Sequence, residues 1–323
     1  MNKRKTIISF LLLLILAGCE KEEGLDNKTG GRFDNTPFKW DYVVTSATEG
    51  QTFIGDCCIS VENRFNITPP MLYVGAAYNK KDFGVSFAPE ITNARNPIDV
   101  IFNFTIPFFG TVNRDHGSTG YFSLLNEALQ STSYKTYMKN RLSPYDVRLT
   151  EIYSSQDIAK ALPNNTALSK IISDEFVKES SGKNIKSRLF GELRNKSFRV
   201  FMDYAVNGFF KDPKDNEAEN AIYIRSLTYG KVAYFAIESS YKYEDIENII
   251  LSKLGLSNYN NAVKEILEKS KITLFTISNN MQTAKVFRTF EELDIFINTA
   301  FSENNYGYPI YCEGNYAKDN SEF

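Results

Sequence analysis

From Trp40 onward, short apolar runs broken by Gly, Asn and Pro predict strands joined by turns. Tyr42-Val43-Val44, Phe53-Ile54-Gly55, Cys58-Ile59-Ser60-Val61 and Met71-Leu72-Tyr73-Val74 are such strands, and Ile98 to Ile106, ended by Pro107, is another. The period then changes. From Gly120 to Leu129 the apolar positions are 121, 122, 124, 125, 128 and 129, which is one face of a helix. The longest signal is Ile222 to Glu238, a β-rich run that passes at once into an acidic, amphipathic stretch with helical spacing, Tyr243 to Leu254. Glu244-Asp245 and Glu291-Glu292 read as helix-start charges on solvated faces.

The N-terminus is patterned differently. Asn2-Lys3-Arg4-Lys5 is a basic start, Ile7 to Leu16 an apolar run too short for a comfortable membrane span, and Leu16-Ala17-Gly18-Cys19 a lipobox. These features predict a signal peptide over 1–18 and a lipidated Cys19, whose several acyl chains suffice for stable anchoring. An ordinary secretory signal with a chance cysteine is the alternative. Glu20-Lys21-Glu22-Glu23 resembles the acidic signal that sends some lipoproteins to the outer cell surface, and a solvated linker start accounts for the same charges. The expected location is a bacterial outer membrane or cell surface, with release from the anchor as a further state. Residues 19–38 are polar and punctuated by glycine, a tether that leaves the body mobile. The globular core is expected over 39–320, with 321–323 as a short tail.

Composition narrows the function classes. A net charge of -2 over 323 residues leaves no electrostatic footprint for nucleic acid. Aromatics make up 14%, with 19 Tyr and 25 Phe, which suits a β-rich secreted protein better than a helical bundle. Cys57 and Cys58 are adjacent and Cys312 is distant, so the cysteines beyond Cys19 define no disulfide framework. The one histidine, His116, sits in a turn-like stretch without nucleophile-elbow spacing around any serine. A phosphate-binding glycine loop, a zinc-spaced Cys/His set and a calcium loop are all missing. No catalytic role, cofactor or metal is expected.

Two segments carry a resemblance. The first holds Tyr229, Gly230, Lys231, Tyr234 and Glu238; the second, near the end of the chain, holds Pro309, Ile310, Tyr316, Lys318, Asp319 and Asn320. Spacing and order resemble the pore-forming core of the cholesterol-dependent cytolysins, which belongs with the membrane-attack-complex proteins in one superfamily. Tyr153 to Leu162 resembles a helical motif of that core, and Phe198 to Asp203 falls where its second long strand should lie. The resemblance runs from about residue 62 to residue 320. It implies an α+β fold, a twisted, bent antiparallel sheet flanked by helical clusters. It also implies a function: the clusters, here about 154–185 and 240–270, unfurl into β-hairpins that many subunits close into one barrel.

Four departures shape the expectation. A segment that inserts must satisfy helical and alternating periods in turn. Ile246, Ile249, Ile250 and Leu254 lie on one helix face, and the even positions from 246 to 256, Leu256 included, carry no charge. The arm after it mixes Lys264, Glu265, Glu268 and Lys269 across both registers, and the first segment holds Lys160, Pro163, Lys170, Asp174 and Lys178. After the strand-like Ile272 to Ile277, the family's Gly-Gly pair is replaced by Asn279-Asn280, which keeps a turn with less freedom. The family's sterol-recognition domain has no counterpart before Phe323, so cholesterol recognition is not expected. What remains is a lipid-anchored subunit of an oligomeric pore, acting on a lipid membrane with copies of itself or a longer homologous partner. The alternative is an immunity, inhibitor or surface-binding lipoprotein that uses the same fold without inserting.

Overall fold

The computed structural model describes residues 41–45, 52–54, 63–64 and 72–323, apart from 85, 114–116, 141–144, 163–168, 175–183, 213–218, 254–258 and 279–283. Cys19, the signal and tether over 1–38, Trp40, Cys58 to Val61, His116, Leu254, Leu256 and Asn279-Asn280 lie outside the described residues. The strands are β1 (Asp41–Thr45), β2 (Thr52–Ile54), β3 (Asn63–Arg64), β4 (Ala77–Asn79), β5 (Ile98–Phe102) and β6 (Phe108–Val112). They continue as β7 (Tyr145–Glu151), β8 (Ser187–Met202), β9 (Ala221–Ser239), β10 (Ser270–Ile277), β11 (Ala284–Phe287) and β12 (Tyr308–Tyr316). The helices are α1 (Gly117–Gln130), α2 (Thr132–Asn140), α3 (Ser155–Ala161), α4 (Tyr243–Lys253), α5 (Asn261–Glu268) and α6 (Phe290–Asn298).

All twelve strands form one antiparallel sheet around a long ribbon, β8 against β9. At one end the order is β11-β10-β9-β8-β7-β1-β2. At the other end β12 takes β10's place beside β9, while β5 pairs β8 and β4 pairs the start of β9. β9 is buried at every one of its 19 residues except the half-buried Arg225, so its apolar run shows no alternation. Both faces of the sheet are covered at this strand, as a continuous hydrophobic run requires. The architecture is α+β: a bent antiparallel sheet flanked by helices.

The bend has a local cause. The β8–β9 register slips between Lys196 and Arg199, and the β12–β9 register slips between Pro309 and Tyr311. Both slips fall opposite residues 228–230, so β9 has a bulged neighbour on each side at one level. An extra residue bends its strand and raises the twist. Gly230 fits there because a Cβ would stand 2.4 Å from Asn195 O and 2.5 Å from Ile310 Cδ1. Gly307, at φ +87°, brings its own backbone against Gly230.

Three strand expectations need correction. Leu72, Tyr73 and Val74 are buried but turn beside β9, with Gly75 N donating to Ile224 O at 2.8 Å, and the paired strand is β4. The run from Ile98 stops at Phe102, and Asn103 to Pro107 is the turn of the β5–β6 hairpin. The strand expected at Phe198 starts at Ser187, because Arg188, Glu192, Arg194 and Lys196 are strand residues paired across the sheet. The last three residues are also packed: Phe323 N donates to Gly314 O at 3.0 Å, and its ring meets Phe83 at 5.2 Å and Tyr316 at 5.8 Å.

Candidate functional site

The informative geometry is how neighbouring strands are joined. β7 and β8 are antiparallel neighbours, Glu151 opposite Leu189, and the chain between them is residues 152–186. β9 and β10 are antiparallel neighbours, Ser239 opposite Ser270, with 240–269 between them. Ordinary hairpins close such pairs with a few residues. Here both connections leave the same end of the sheet and hold helices: α3 and residues 169–174 in the first, α4 and α5 in the second. Each is long enough for two strands of about 10 residues and a turn, the span of a membrane barrel strand.

The two helical connections pack on opposite faces. Side chains alternate along a strand, so Tyr234, Ala236, Phe190 and Phe275 share a face with Ile158, Ala161, Leu162 and Ile172 of the first connection. Phe235, Ile237, Leu189, Leu193 and Leu274 face the other way, against Ile246 and Ile250 of α4 and Leu293 and Ile297 of α6. Ile249 is buried as well, so of the helical stripe read from the sequence Ile246, Ile249 and Ile250 are buried, Leu254 lying outside the described residues. α5 is capped by Asn260, whose side chain accepts from Val263 N at 2.9 Å.

The first face also carries charge. Arg148 and Arg194 both bond Glu192 from either side, all three nearly or fully buried. Arg194 further donates to Ile310 O at 3.0 Å and stands 5.2 Å from the Tyr311 ring. Burial alone would lower the Arg194 pKa, but Glu192 and the surrounding tyrosines outweigh it, and the guanidinium is held charged. Lys196 pairs Asp146 at 3.1 Å, and Asp146 also accepts from Tyr311 Oη at 2.9 Å. One rung from the helical end, Arg188 pairs Glu238 at 2.9 Å. Replacing such a network by apolar groups is often neutral, whereas removing one member leaves a buried charge uncompensated.

The sheet brings the two signature segments together. Pro309 lies opposite Tyr229 and Tyr316 opposite Ile222 in the β12–β9 pair. Tyr229 Oη is 3.1 Å from Tyr121 Oη, Tyr234 is fully buried, and Ile310 packs over Gly230. Lys231 is buried and donates to Phe296 O and Thr299 O of α6, the latter at 2.7 Å. Lys318 and Asp319 are exposed in the final turn, where Asp319 accepts from Ser321 N at 2.9 Å, while Asn320 accepts from Tyr223 Oη at 2.9 Å. The charged network of Asp146, Arg148, Glu192, Arg194 and Lys196 escaped the sequence reading, although charges at 188, 192, 194 and 196 repeat at the strand period of two. Gly307 gave no sequence signal, because its reason is the backbone of Gly230.

No helix among the described residues is long and apolar enough to cross a membrane, which says nothing about strands that cross as a barrel. Among them no group of His, Cys, Asp and Glu could hold a metal ion. Cys312 is buried in β12.

No family model and no curated protein matches the chain. Its fold does match solved structures. Pneumolysin superposes with a TM-score of 0.64 at 14% identity, over 82% of this chain and 60% of that one. The human-specific toxin intermedilysin gives 0.60 at 16% identity, over 80% and 60%. The cytotoxin suilysin from Streptococcus suis gives 0.59 at 16% identity, over 88% and 62%. This chain thus spans about 60% of the length of these cytolysins and shares the fold of that part.

Proposed function

We propose that the chain is a lipid-anchored subunit of an oligomeric β-barrel pore. The observation that carries the reading is the pair of helical connections, each interrupting what would otherwise be a continuous hairpin at the same end of one sheet. Unfurled, 152–186 and 240–269 would lengthen β7, β8, β9 and β10 into four barrel strands. In lipid every backbone group must be paired, so the strands of one copy must close against those of others. The similarity of fold to the toxins pneumolysin, intermedilysin and suilysin supports the same reading. Cys19 would hold the chain at a membrane, so sterol recognition is not needed, and a longer homologous partner would supply a target. The reading assigns no catalytic step.

A second reading is kept because Lys170, Asp174, Glu265 and Lys269 form exposed ion pairs within the two connections. A lipid-facing Lys at a barrel midplane costs about 2–4 kcal/mol. On that reading the chain is an immunity or surface-binding protein whose helices never leave the sheet. The deciding experiment is dye release from sterol-free liposomes by the purified lipidated chain, with and without limited proteolysis. Release with ring-shaped oligomers supports the pore. Intact liposomes in both conditions, and in the presence of a longer homologue that the chain binds, would leave only the second reading.

A further inference from the structure

At the end of the sheet away from the helical connections, β5, β6 and β8 turn one face to solvent. Ile98, Val100, Phe102, Val112, Val200 and Met202 lie in the core around α1, so the residues between them point the other way. Pairing puts Phe109, Ile101 and Phe201 in one rung of this outer face, and Thr111, Asp99 and Asp203 in the next. Phe109 is 66% exposed, and Ile101 and Phe201 are half-buried. Asp99 and Asp203 are exposed, and Asp99 Oδ1 accepts from Thr111 Oγ1 at 2.6 Å.

Past the second rung the chain turns over a cavity of about 360 Å³, bordered by Asn96, Asp99, Asp203, Tyr204 and Asn207. Small-molecule sites have volumes of about 300–1,000 Å³. The wall is fixed by its own bonds: Asp203 N donates to Asp99 O at 3.1 Å, Asn96 Nδ2 to Gly208 O at 2.9 Å and Asn320 Nδ2 to Ala205 O at 3.3 Å. Gly208, at φ +84°, makes the turn. Tyr204 is 47% exposed, and the Arg225 guanidinium stands 4.0 Å from its ring centre. A site ordered in advance loses less freedom on binding.

We propose that this cavity and the outer face beside it are a binding site for a neutral saccharide. A sugar ring has an apolar C–H face and a rim of hydroxyls that donate and accept. Tyr204 and Phe109 offer flat apolar surface to the one. For the other, the carboxylates of Asp99 and Asp203 accept, and the Asn207 amide both donates and accepts. The carboxylates do not make a simple cation site. Arg225 stands over Tyr204, and Arg199, paired with Glu313, stands 5.9 Å from the Phe201 ring, so the face carries both signs. The site does not rest on the pore reading and holds whether or not the chain enters lipid.

The test is saturation-transfer NMR on the full chain with maltotriose, mannotriose, galactotriose and chitotriose, which differ in axial hydroxyls and N-acetyl groups. Transfer to at least one of them, with a Kd of about 1 mM or tighter, is expected. Tyr204→Ala and Asp203→Ala each weaken it about tenfold or more, and Tyr204→Phe keeps most of it. Added salt leaves it unchanged, because a neutral ligand is not screened. Both side chains are exposed, so the urea midpoints of the variants stay at that of the parent. If either variant does not fold, Asn207→Ala is read against the same criteria. Transfer to none of the four, or transfer that survives the substitutions, would overturn the site. Capture of a lysine-rich peptide that salt abolishes, in place of any sugar, would overturn the saccharide. Sugar binding with liposomes intact in every condition keeps the site and sinks the pore reading; leakage with no sugar bound does the reverse.

Discussion

Ile250→Ala tests whether α4 is a segment that must leave the sheet. Ile246, Ile249 and Ile250 are 1%, 6% and 1% exposed and supply the apolar stripe of an 11-residue helix. A helix that short is marginal alone, so its docking supplies most of its stability. Truncating one buried isoleucine to alanine costs about 2–5 kcal/mol. The equilibrium for undocking should therefore rise by roughly 30- to 4,000-fold, if the loss falls on α4 and not on the ribbon beneath it. Exchange of amides 243–253 measures undocking, and dye release per folded molecule measures its consequence. On the pore reading release becomes faster, and Ile250→Val gives a smaller change in the same direction. Val200→Ala, which opens a hole in the separate core around α1, should not accelerate release. Should release fall in step with stability for both Ile250 variants, as for Val200→Ala, the idea that α4 must depart is refuted.

Glu192→Leu leaves Arg148 and Arg194 without their shared carboxylate and should destabilise by about 3–5 kcal/mol in urea; a loss below about 1 kcal/mol would show that water reaches the pair. Gly307→Ala combines a φ of +87° with a Cβ 2.1 Å from Gly230 O, so the backbone must shift. Its cost should exceed the roughly 1–2 kcal/mol of left-handed strain alone, and an unchanged urea midpoint would remove the close glycine contact from the account of the bend. Alkali should weaken the fold: Tyr73 and Tyr223 are pushed up from 10.0 to about 12, mainly by burial. The unfolded chain loses these protons first, so stability is full below pH 10 and falls toward pH 12. Urea midpoints between pH 9 and pH 11.5 check the sign, and a rising midpoint would contradict it.

Strands buried on both faces were legible where charges were sparse, as in β9, with Arg225 and Lys231 alone between Ile222 and Ile237, and in β10 after Lys271. Residues 187–197 were not, because Arg188, Glu192 and Arg194 look solvated until their partners on β7 and β9 are known. Pairing across a sheet is a property of register, and one sequence does not state register. Apolar runs misled in the opposite sense at Leu72 to Val74, where burial is achieved without a ladder. The stripe of α4 was legible because its helical period is clean, whereas the role of Lys231 depends on carbonyls sixty-five and more residues away.

The edges of this sheet decide what it can join. Among the described residues, β2 at one edge has three residues and β11 at the other has four, while β8 and β9 between them have 16 and 19. Short edge strands limit pairing with other chains, one of the ways a soluble sheet avoids aggregation. Hairpins made from 152–186 and 240–269 would have unpaired edges of their own, and lipid does not tolerate them. On the pore reading, insertion by a single copy is therefore opposed at every added residue, and pairing between copies accompanies unfurling. On that reading the β8–β9 ribbon stays paired throughout, and the strands added by the two connections are the ones that need partners.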